Sequence, residues 1–340
     1  MSIIDHLETT EVFNSYWKFG AERLFTYYRR LQDRVGPWTS DTIISEYRFT
    51  NTYRAADRVS QYLIKEVQYS LERSPAVAEV FFRSMLFKIF NKIDTWEAIE
   101  REFGPVSWQS FDLDAVSKVL DRMLAAGSRI YSAAYIMPSP GLGHQRKHAN
   151  HLALLSSMMD DGLPGQLSDA MSLKSAYELL LSYSGLGPFL AFQYAIDLNY
   201  STVTNFDESD FVVAGPGAID GIAKCFTNSR GVDPAEIIYA MVERQRDAFL
   251  ALGIDFPGLF GRPLKPIDCQ NLFCEISKYS RVAHPSISGV SGRTRIKQRY
   301  SSARAQRVPA PFFPPKWNLQ IVAPELPGIA HTAQDQLALL

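Results

Sequence analysis

Residues 172–221 read SLKSAYELLLSYSGLGPFLAFQYAIDLNYSTVTNFDESDFVVAGPGAIDG, and this stretch decides the fold. Its first part predicts a helix, because apolar side chains recur at three- and four-residue steps from Leu173 to Tyr183. Ser184-Gly185-Leu186-Gly187 ends that helix. Pro188 begins a second one, where its missing N–H has no intrahelical partner. The stretch therefore predicts a helix, a tight glycine hairpin and another helix.

The hairpin Gly185-Leu186-Gly187-Pro188 predicts a contact with a DNA phosphate. Glycines let a backbone approach a ligand closely, and the N–H groups that begin a helix favour an anion. The alternative is that the glycines only cap a helix and form a turn. Asp207 and Asp210 follow about twenty residues after the hairpin. The same order of a hairpin and then a carboxylate is found in helix-hairpin-helix DNA glycosylases, which this stretch resembles.

The composition is that of a globular protein of 340 residues, of which 46% are hydrophobic and 21% charged. The net charge of −1 means that any nucleic-acid surface must come from an uneven distribution of charge. The three cysteines indicate neither a disulfide framework nor a metal cluster, and they suit a reducing cytoplasm. No secretory signal, membrane-spanning run or GxxxxGK[ST] loop is present in the sequence. We therefore expect a cytoplasmic protein without a membrane partner and without a P-loop.

Residues 48–64, RFTNTYRAADRVSQYLI, predict a helix with a polar stripe that includes Arg48, Asn51 and Arg54. These side chains can make paired hydrogen bonds, and the stripe is poor in Lys and Glu. The usual fate of such a stripe is a solvated face. The alternative is that Arg48, Asn51 and Arg54 line a base pocket, to which we also assign Gln193 and Tyr194 of the helix after the hairpin.

A basic arm is predicted over residues 286–318. Between Ile276 and Pro324 the sequence holds nine Lys or Arg residues and no Asp or Glu. Arg293, Arg295, Lys297 and Arg299 form its centre. The alternative is a disordered basic tail, but such a tail also binds polyanions, with an affinity that falls steeply with salt.

The remaining pattern predicts helices over residues 8–32, 75–104, 112–136, 145–159, 234–252 and 267–281. No repeat and no long strand-like alternation occurs, so the predicted fold is mostly α, with at most short extended pieces near Phe211–Val213. The expected organisation is a helical glycosylase-like domain over 8–285, the basic arm over 286–318 and a tail over 319–340. His148 and His151 lack further ligands at helical spacing, and no metal site is predicted.

Three stretches together resemble a known family. They are the segment from Trp17 to Ile64 with RFTNTYRAADR, the segment from Tyr183 to Phe226 with SGLGPFLAFQYAIDL and DFVVAGPGA, and IDCQNLFCEISKY at 267–279. The family is the α-glutamyl/putrescinyl thymine pyrophosphorylase group, also described as the helical domain of 5-hydroxymethyluracil DNA kinases. Its members are tied to hypermodified pyrimidines in phage DNA, and some are fused to a P-loop kinase.

The resemblance implies recognition or excision of a modified base, as in stand-alone bacterial antiphage glycosylases that act on glucosylated 5-hydroxymethylcytosine. On this hypothesis the protein flips a modified base out of double-stranded phage DNA and hydrolyses its glycosidic bond without a cofactor. Asp210, or else Asp207, stabilises the oxocarbenium-like transition state or activates water. Phe189 occupies the position of the lysine in strand-nicking relatives, so no Schiff base is expected. The alternatives are a non-catalytic reader of modified DNA, or a transferase that modifies hydroxymethylpyrimidines in DNA.

Overall fold

The structure is a computed structural model, and it describes residues 3–33, 35–300, 308 and 310–328. The α-helices are α1 Glu11–Gln32, α2 Thr42–Glu46, α3 Arg58–Tyr62, α4 Val77–Phe90, α5 Ile93–Phe103, α6 Leu113–Ala125, α7 Lys147–Asp160, α8 Leu163–Ser168, α9 Leu173–Leu181, α10 Pro188–Asn199, α11 Pro216–Cys225, α12 Pro234–Ala251 and α13 Pro266–Ala283. Within the described ranges there is no β-strand, only isolated bridges. The predicted mostly-α fold is confirmed.

The chain divides into two compact units. The terminal unit comprises Met1–Asp57, Val212–Pro311 and Asn318–Leu340, and the central unit comprises Arg58–Phe211 and Phe312–Trp317. Helices α1, α2 and α11–α13 therefore belong to the terminal unit, whereas α3–α10 belong to the central unit. None of the described helices combines the length and the apolarity that crossing a bilayer requires.

Helix α13 is the centre of the terminal unit. It packs most closely on α11, where a Cβ added to Gly221 would lie 2.0 Å from the carbonyl oxygen of Phe273. Only glycine fits at this crossing. The aromatic face of α1 covers α13 from another side, with the ring of Tyr16 4.7 Å from that of Phe273, centroid to centroid. This packing fixes the position of α13, which carries several of the polar side chains described below.

The central unit has α4 as its most buried helix, since every residue from Glu79 to Phe90 is buried. The ammonium group of Lys88 on this helix forms a buried ion pair with Asp197 of α10, at 3.0 Å. Residues 312–317, which fall inside the predicted basic arm, also belong to this unit. Gln61 pairs with the backbone of Phe312 through two hydrogen bonds of 2.8 and 3.0 Å.

Lys316 fixes the other end of this segment. Its ammonium group donates hydrogen bonds to the carbonyl oxygens of Ser201 and Thr204, at 2.8 and 2.6 Å. Burial lowers the pKa of Lys316 to about 8, while the negative charge of Glu208 acts in the opposite direction.

The helix predicted over residues 48–64 is wrong in its first half. Residues 48–53 are extended, a single 3₁₀ turn spans Arg54–Ala56, and α3 begins only at Arg58. Asn51 explains the difference, because its side chain donates to the carbonyl oxygen of Ala56 and its backbone N–H donates to Asp57. Such bonds between side chains and backbone compete with the helical ladder.

Two other predicted helices are shorter than expected. The helix predicted over 112–136 ends at Ala125, where Gly127 has φ +77° and the N–H groups of Gly127 and Ser128 bond to the carbonyls of Leu124 and Met123. Such glycine caps are a common way for helices to end. The helix predicted over 75–104 is divided by Asn91, whose φ is 48°.

Candidate functional site

The predicted glycine hairpin has the expected local shape. Helix α9 ends at Leu181, residues 182–187 turn, and α10 begins at Pro188. Gly185 has φ +88°, and an added Cβ would lie 3.4 Å from the carbonyl oxygen of Pro138. Gly187 is the N-cap of α10 and supplies no capping side chain. The contact of Gly185, Leu186, Gly187 and Pro188 with DNA stays a prediction.

Asp207 and Asp210 lie in one exposed turn of the central unit. The backbone N–H of Asp210 donates to the carbonyl oxygen of Asp207, and the Asp207 carboxylate accepts from the N–H of Ser209 at 2.9 Å. Glu208 between them is buried, with 3% of its surface exposed. Nothing in the sequence pattern distinguishes this buried carboxyl group from its two exposed neighbours. Whether Asp207 or Asp210 takes part in catalysis stays a prediction.

The predicted base-pocket residues do not share a helix face. Arg48 is exposed, whereas Arg54 is buried and its backbone N–H donates to Asp268 at 3.3 Å. Gln193 and Tyr194 are buried on α10 in the central unit, where the Tyr194 hydroxyl donates to the carbonyl oxygen of Lys88. Of the five residues, Asn51 lies among the polar groups that we describe next.

A polar cluster in the terminal unit joins α1, α13 and the extended segment, which comprises residues 48–53 and is closely followed by Asp57. It consists of Arg23, Asn51, Asp57, Glu275 and Lys278. The Arg23 guanidinium donates to the carbonyl oxygens of Phe49 and Thr50 and to the Asn51 side chain, at 3.1 to 3.3 Å. Glu275 accepts from the backbone N–H of Thr50 at 3.0 Å and pairs with Lys278 at 2.8 Å. These bonds fix the extended segment against both helices.

Asp57 is the group in the polar cluster that can exchange a proton near neutral pH. Its Oδ1 accepts the backbone N–H of Asn51 at 2.8 Å. Its Oδ2 accepts no hydrogen bond from any residue that the structure describes, and the side chain is only half-buried. The pKa of Asp57 is raised to about 7, chiefly by burial and also by the negative charge of Glu275, against the effects of the Asn51 N–H, Arg23 and Arg54. A carboxyl group with such a pKa is typical of functional sites.

Sequence reasoning found this site only in part. Asn51 and Arg54 were expected on one polar stripe, but nothing in the spacing of that stripe linked it to Glu275 or to Arg23. The described residues contain no group of three or more His, Cys, Asp or Glu side chains arranged to hold a metal ion.

A basic ribbon, residues 293–299, lies on the terminal unit. Its backbone is held by a bond from the N–H of Arg48 to the carbonyl of Gln298 at 3.0 Å and by a bond from Arg281 to the carbonyl of Arg295 at 3.1 Å. The side chains are exposed at the four cationic positions that were predicted to bind DNA, Arg293, Arg295, Lys297 and Arg299. Arg304 and Arg307 of the predicted arm lie outside the described residues. The basic ribbon thus bonds to Arg48, and the chain continues from Arg48 directly into the polar cluster.

Comparison with known proteins identifies the family. The family model described as "5-hmdU DNA kinase, helical domain" matches residues 10–289. The chain belongs to this family. The 5-hmdU DNA kinase of Bacillus phage SP10 is 24% identical over 279 residues, which cover 76% of this chain and 43% of that protein. The chain thus spans less than half the length of this relative. No solved structure matches the chain.

These findings correct the predicted reaction. Both the family and the phage relative are named for a kinase, which is a transferase, and neither is named for a glycosylase. The expectation of a hydrolase that excises a modified base and leaves abasic sites is therefore wrong. The findings favour the alternative of a transferase that acts on hydroxymethylpyrimidines in DNA. The family resemblance itself is confirmed at the level of the helical domain.

Proposed function

We propose that this chain binds DNA that carries 5-hmdU (5-hydroxymethyldeoxyuridine) and holds the modified base as the acceptor of a transferred group. The observation that carries this proposal is the match of residues 10–289 to the helical domain of the 5-hmdU DNA kinase. The 340 residues contain no GxxxxGK[ST] motif. The proposed role is therefore that of the part that binds the DNA substrate in a transferase.

The geometry of the terminal unit supports a DNA substrate. The basic ribbon exposes four cationic side chains, which suit contacts with phosphates. Its backbone pairs with residues 46–48, since the N–H of Arg48 donates to Gln298 and the N–H of Tyr300 donates to Glu46. The contacts of the polar cluster begin one residue further along the chain, where the carbonyl oxygen of Phe49 accepts a hydrogen bond from Arg23. The cations of the basic ribbon, which suit phosphates, and Asp57, which can exchange a proton, thus both lie beside or within residues 46–57.

Asp57 supplies the means to distinguish the modified base. A base must leave the stack before an enzyme can act on it. Oδ2 of Asp57 is an acceptor for the O–H of a 5-hydroxymethyl group. Thymine has no such hydroxyl and would leave this partly desolvated carboxylate unpaired, which penalises the wrong substrate.

A binding assay tests the proposal. Short duplexes that contain one 5-hmdU or one thymidine at the same position are titrated with the full chain and followed by fluorescence polarisation. We expect a preference of about tenfold for 5-hmdU, which corresponds to roughly 1.4 kcal/mol. Asp57→Ala should remove the preference but keep binding to both duplexes. Asp255→Asn, a change at an exposed carboxylate, is the matched control.

A second assay asks whether the chain transfers a group by itself. The same duplexes are incubated with ATP labelled on its γ-phosphate, and the DNA is analysed for label. Label on the 5-hmdU duplex alone would support the proposal and extend it to the complete reaction. Equal affinity for both duplexes, together with no transfer, would refute it.

A further inference from the structure

A cavity of about 450 Å³ opens on the central unit, between the end of α6 and the start of α7. Its apolar wall consists of Leu124, Ile130 and Tyr131. The lining also includes the three cationic side chains of Arg129, Arg146 and Lys147. This volume lies in the range of small-molecule sites. Neither the polar cluster nor the basic ribbon contributes to the cavity.

Buried polar side chains hold the walls of this cavity in place. Asn150 binds the loop before α7, because its Oδ1 accepts from the N–H of His144 and its Nδ2 donates to the carbonyls of His144 and Arg146, at 2.6 to 3.2 Å. His151 bonds to the Tyr131 hydroxyl at 2.8 Å and to the carbonyl oxygen of Pro138 at 2.9 Å. Both Asn150 and His151 are at least 97% buried. The cationic side chains therefore project from a preorganised frame.

The charge inside the cavity is positive. Arg129 is exposed, and the Lys147 ammonium lies over the Tyr131 ring, 5.0 Å from its centroid. The nearby anion is Asp121, whose Oδ1 is 3.5 Å from Nε of Arg146. His148 also lines the cavity, but its pKa is lowered, chiefly by burial, so it adds no full charge at neutral pH. Three cations against one carboxylate leave an excess of positive charge.

We propose that this cavity binds a phosphate group, held by Arg129, Arg146 and Lys147. The phosphate belongs either to the backbone of DNA or to a free nucleotide. The cavity would thus be a second ligand site, on the central unit. It is independent of the proposed recognition of 5-hmdU, because it requires no modified base.

Two ligands distinguish the sources of the phosphate. The full chain is titrated with a fluorescent ATP analogue and, separately, with an unmodified DNA duplex at several salt concentrations. The test variant is Arg129→Gln/Lys147→Gln. The matched control is Arg101→Gln/Lys174→Gln, which removes the same charges from exposed positions of the central unit. The charge-preserving variant Arg129→Lys/Lys147→Arg should bind like the unchanged protein.

If the phosphate comes from DNA, the test variant should lose at least about tenfold in duplex affinity, and its salt slope should fall by about 2. If it comes from a nucleotide, the dissociation constant of the ATP analogue should rise about tenfold while DNA binding stays unchanged. Equal behaviour of the test and control variants with both ligands would overturn the proposal.

A measurement on the unchanged protein covers the case in which the test variant does not fold. Lys147 is acetylated with an amine-reactive ester, and the extent of labelling is read by mass spectrometry. ATP or the duplex should protect Lys147 several-fold, whereas Lys174 should stay equally reactive. Absence of protection by both ligands would count against the site.

Discussion

Asp57 should reduce the stability of the folded protein at neutral pH, and Asp57→Asn should restore it. Burial raises the pKa of this carboxyl group from 3.8 to about 7. Because the folded state binds the proton more tightly than the unfolded chain, the free energy of unfolding falls as the pH rises from 3.8 to 7. The full difference corresponds to about 4 kcal/mol. Since Asp57 is only half-buried, we expect roughly 1–2 kcal/mol of this to be measured, after solvent screening.

Urea unfolding followed by tryptophan fluorescence measures this effect. Asp57→Asn keeps an oxygen that accepts the Asn51 N–H, so the variant removes the charge and preserves the shape. The variant should exceed the unchanged protein in stability, and the difference should grow between pH 5 and 7 and stay constant above 7. Asp255→Asn should show no such trend. A variant that is less stable at pH 8, or a difference that does not depend on pH, would refute this account of Asp57.

Three further predictions concern other parts of the fold. Gly221→Ala should destabilise the protein by more than about 3 kcal/mol in thermal unfolding, because the new Cβ would overlap the carbonyl of Phe273; Gly165→Ala, where the added Cβ meets nothing within 4 Å, is the control. Replacing the four cations of the basic ribbon by Gln should lower the salt slope of DNA binding by up to about 4, with no loss of thermal stability. The pKa of Lys316, about 8, is below the ordinary 10.5, so stability should rise from pH 8 to 10.5 by at most about 3 kcal/mol, and Lys316→Met should abolish that rise.

Local signals predicted the helix boundaries where glycines and a proline occur together, but the ends set by Gly127 alone and by Asn91 were not predicted. The hairpin before Pro188 was found because glycine and proline act within a few residues of chain. Residues 48–57 were predicted wrongly because Asn51 and Asp57 bind the backbone in place of the helical ladder. Periodicity reports the spacing of polar residues along the chain, but it carries no information about their hydrogen-bond partners.

The polar cluster could not be predicted from spacing at all. Glu275 meets the N–H of Thr50 across 225 positions of sequence, and only tertiary packing brings them together. The raised pKa of Asp57 has the same origin, since it depends on burial in the folded chain and on the charge of Glu275. A sequence shows which carboxyl groups exist, whereas their protonation is a property of the folded environment.

The features by which the sequence resembles a glycosylase are shared by other enzymes that act on DNA. A glycine hairpin, a basic ribbon and a flipped base serve any enzyme that acts on DNA, because they concern binding of the phosphate backbone and access to the base. They therefore do not distinguish a glycosylase from a kinase. The distinction must come from the atom that the protein contacts, the glycosidic carbon in one case and the hydroxymethyl oxygen in the other. In the proposed function Asp57 accepts a hydrogen bond from that hydroxyl, which recognises the base but serves either reaction. Label transferred from ATP to the 5-hmdU duplex, and not binding alone, is therefore the result that separates the two reactions.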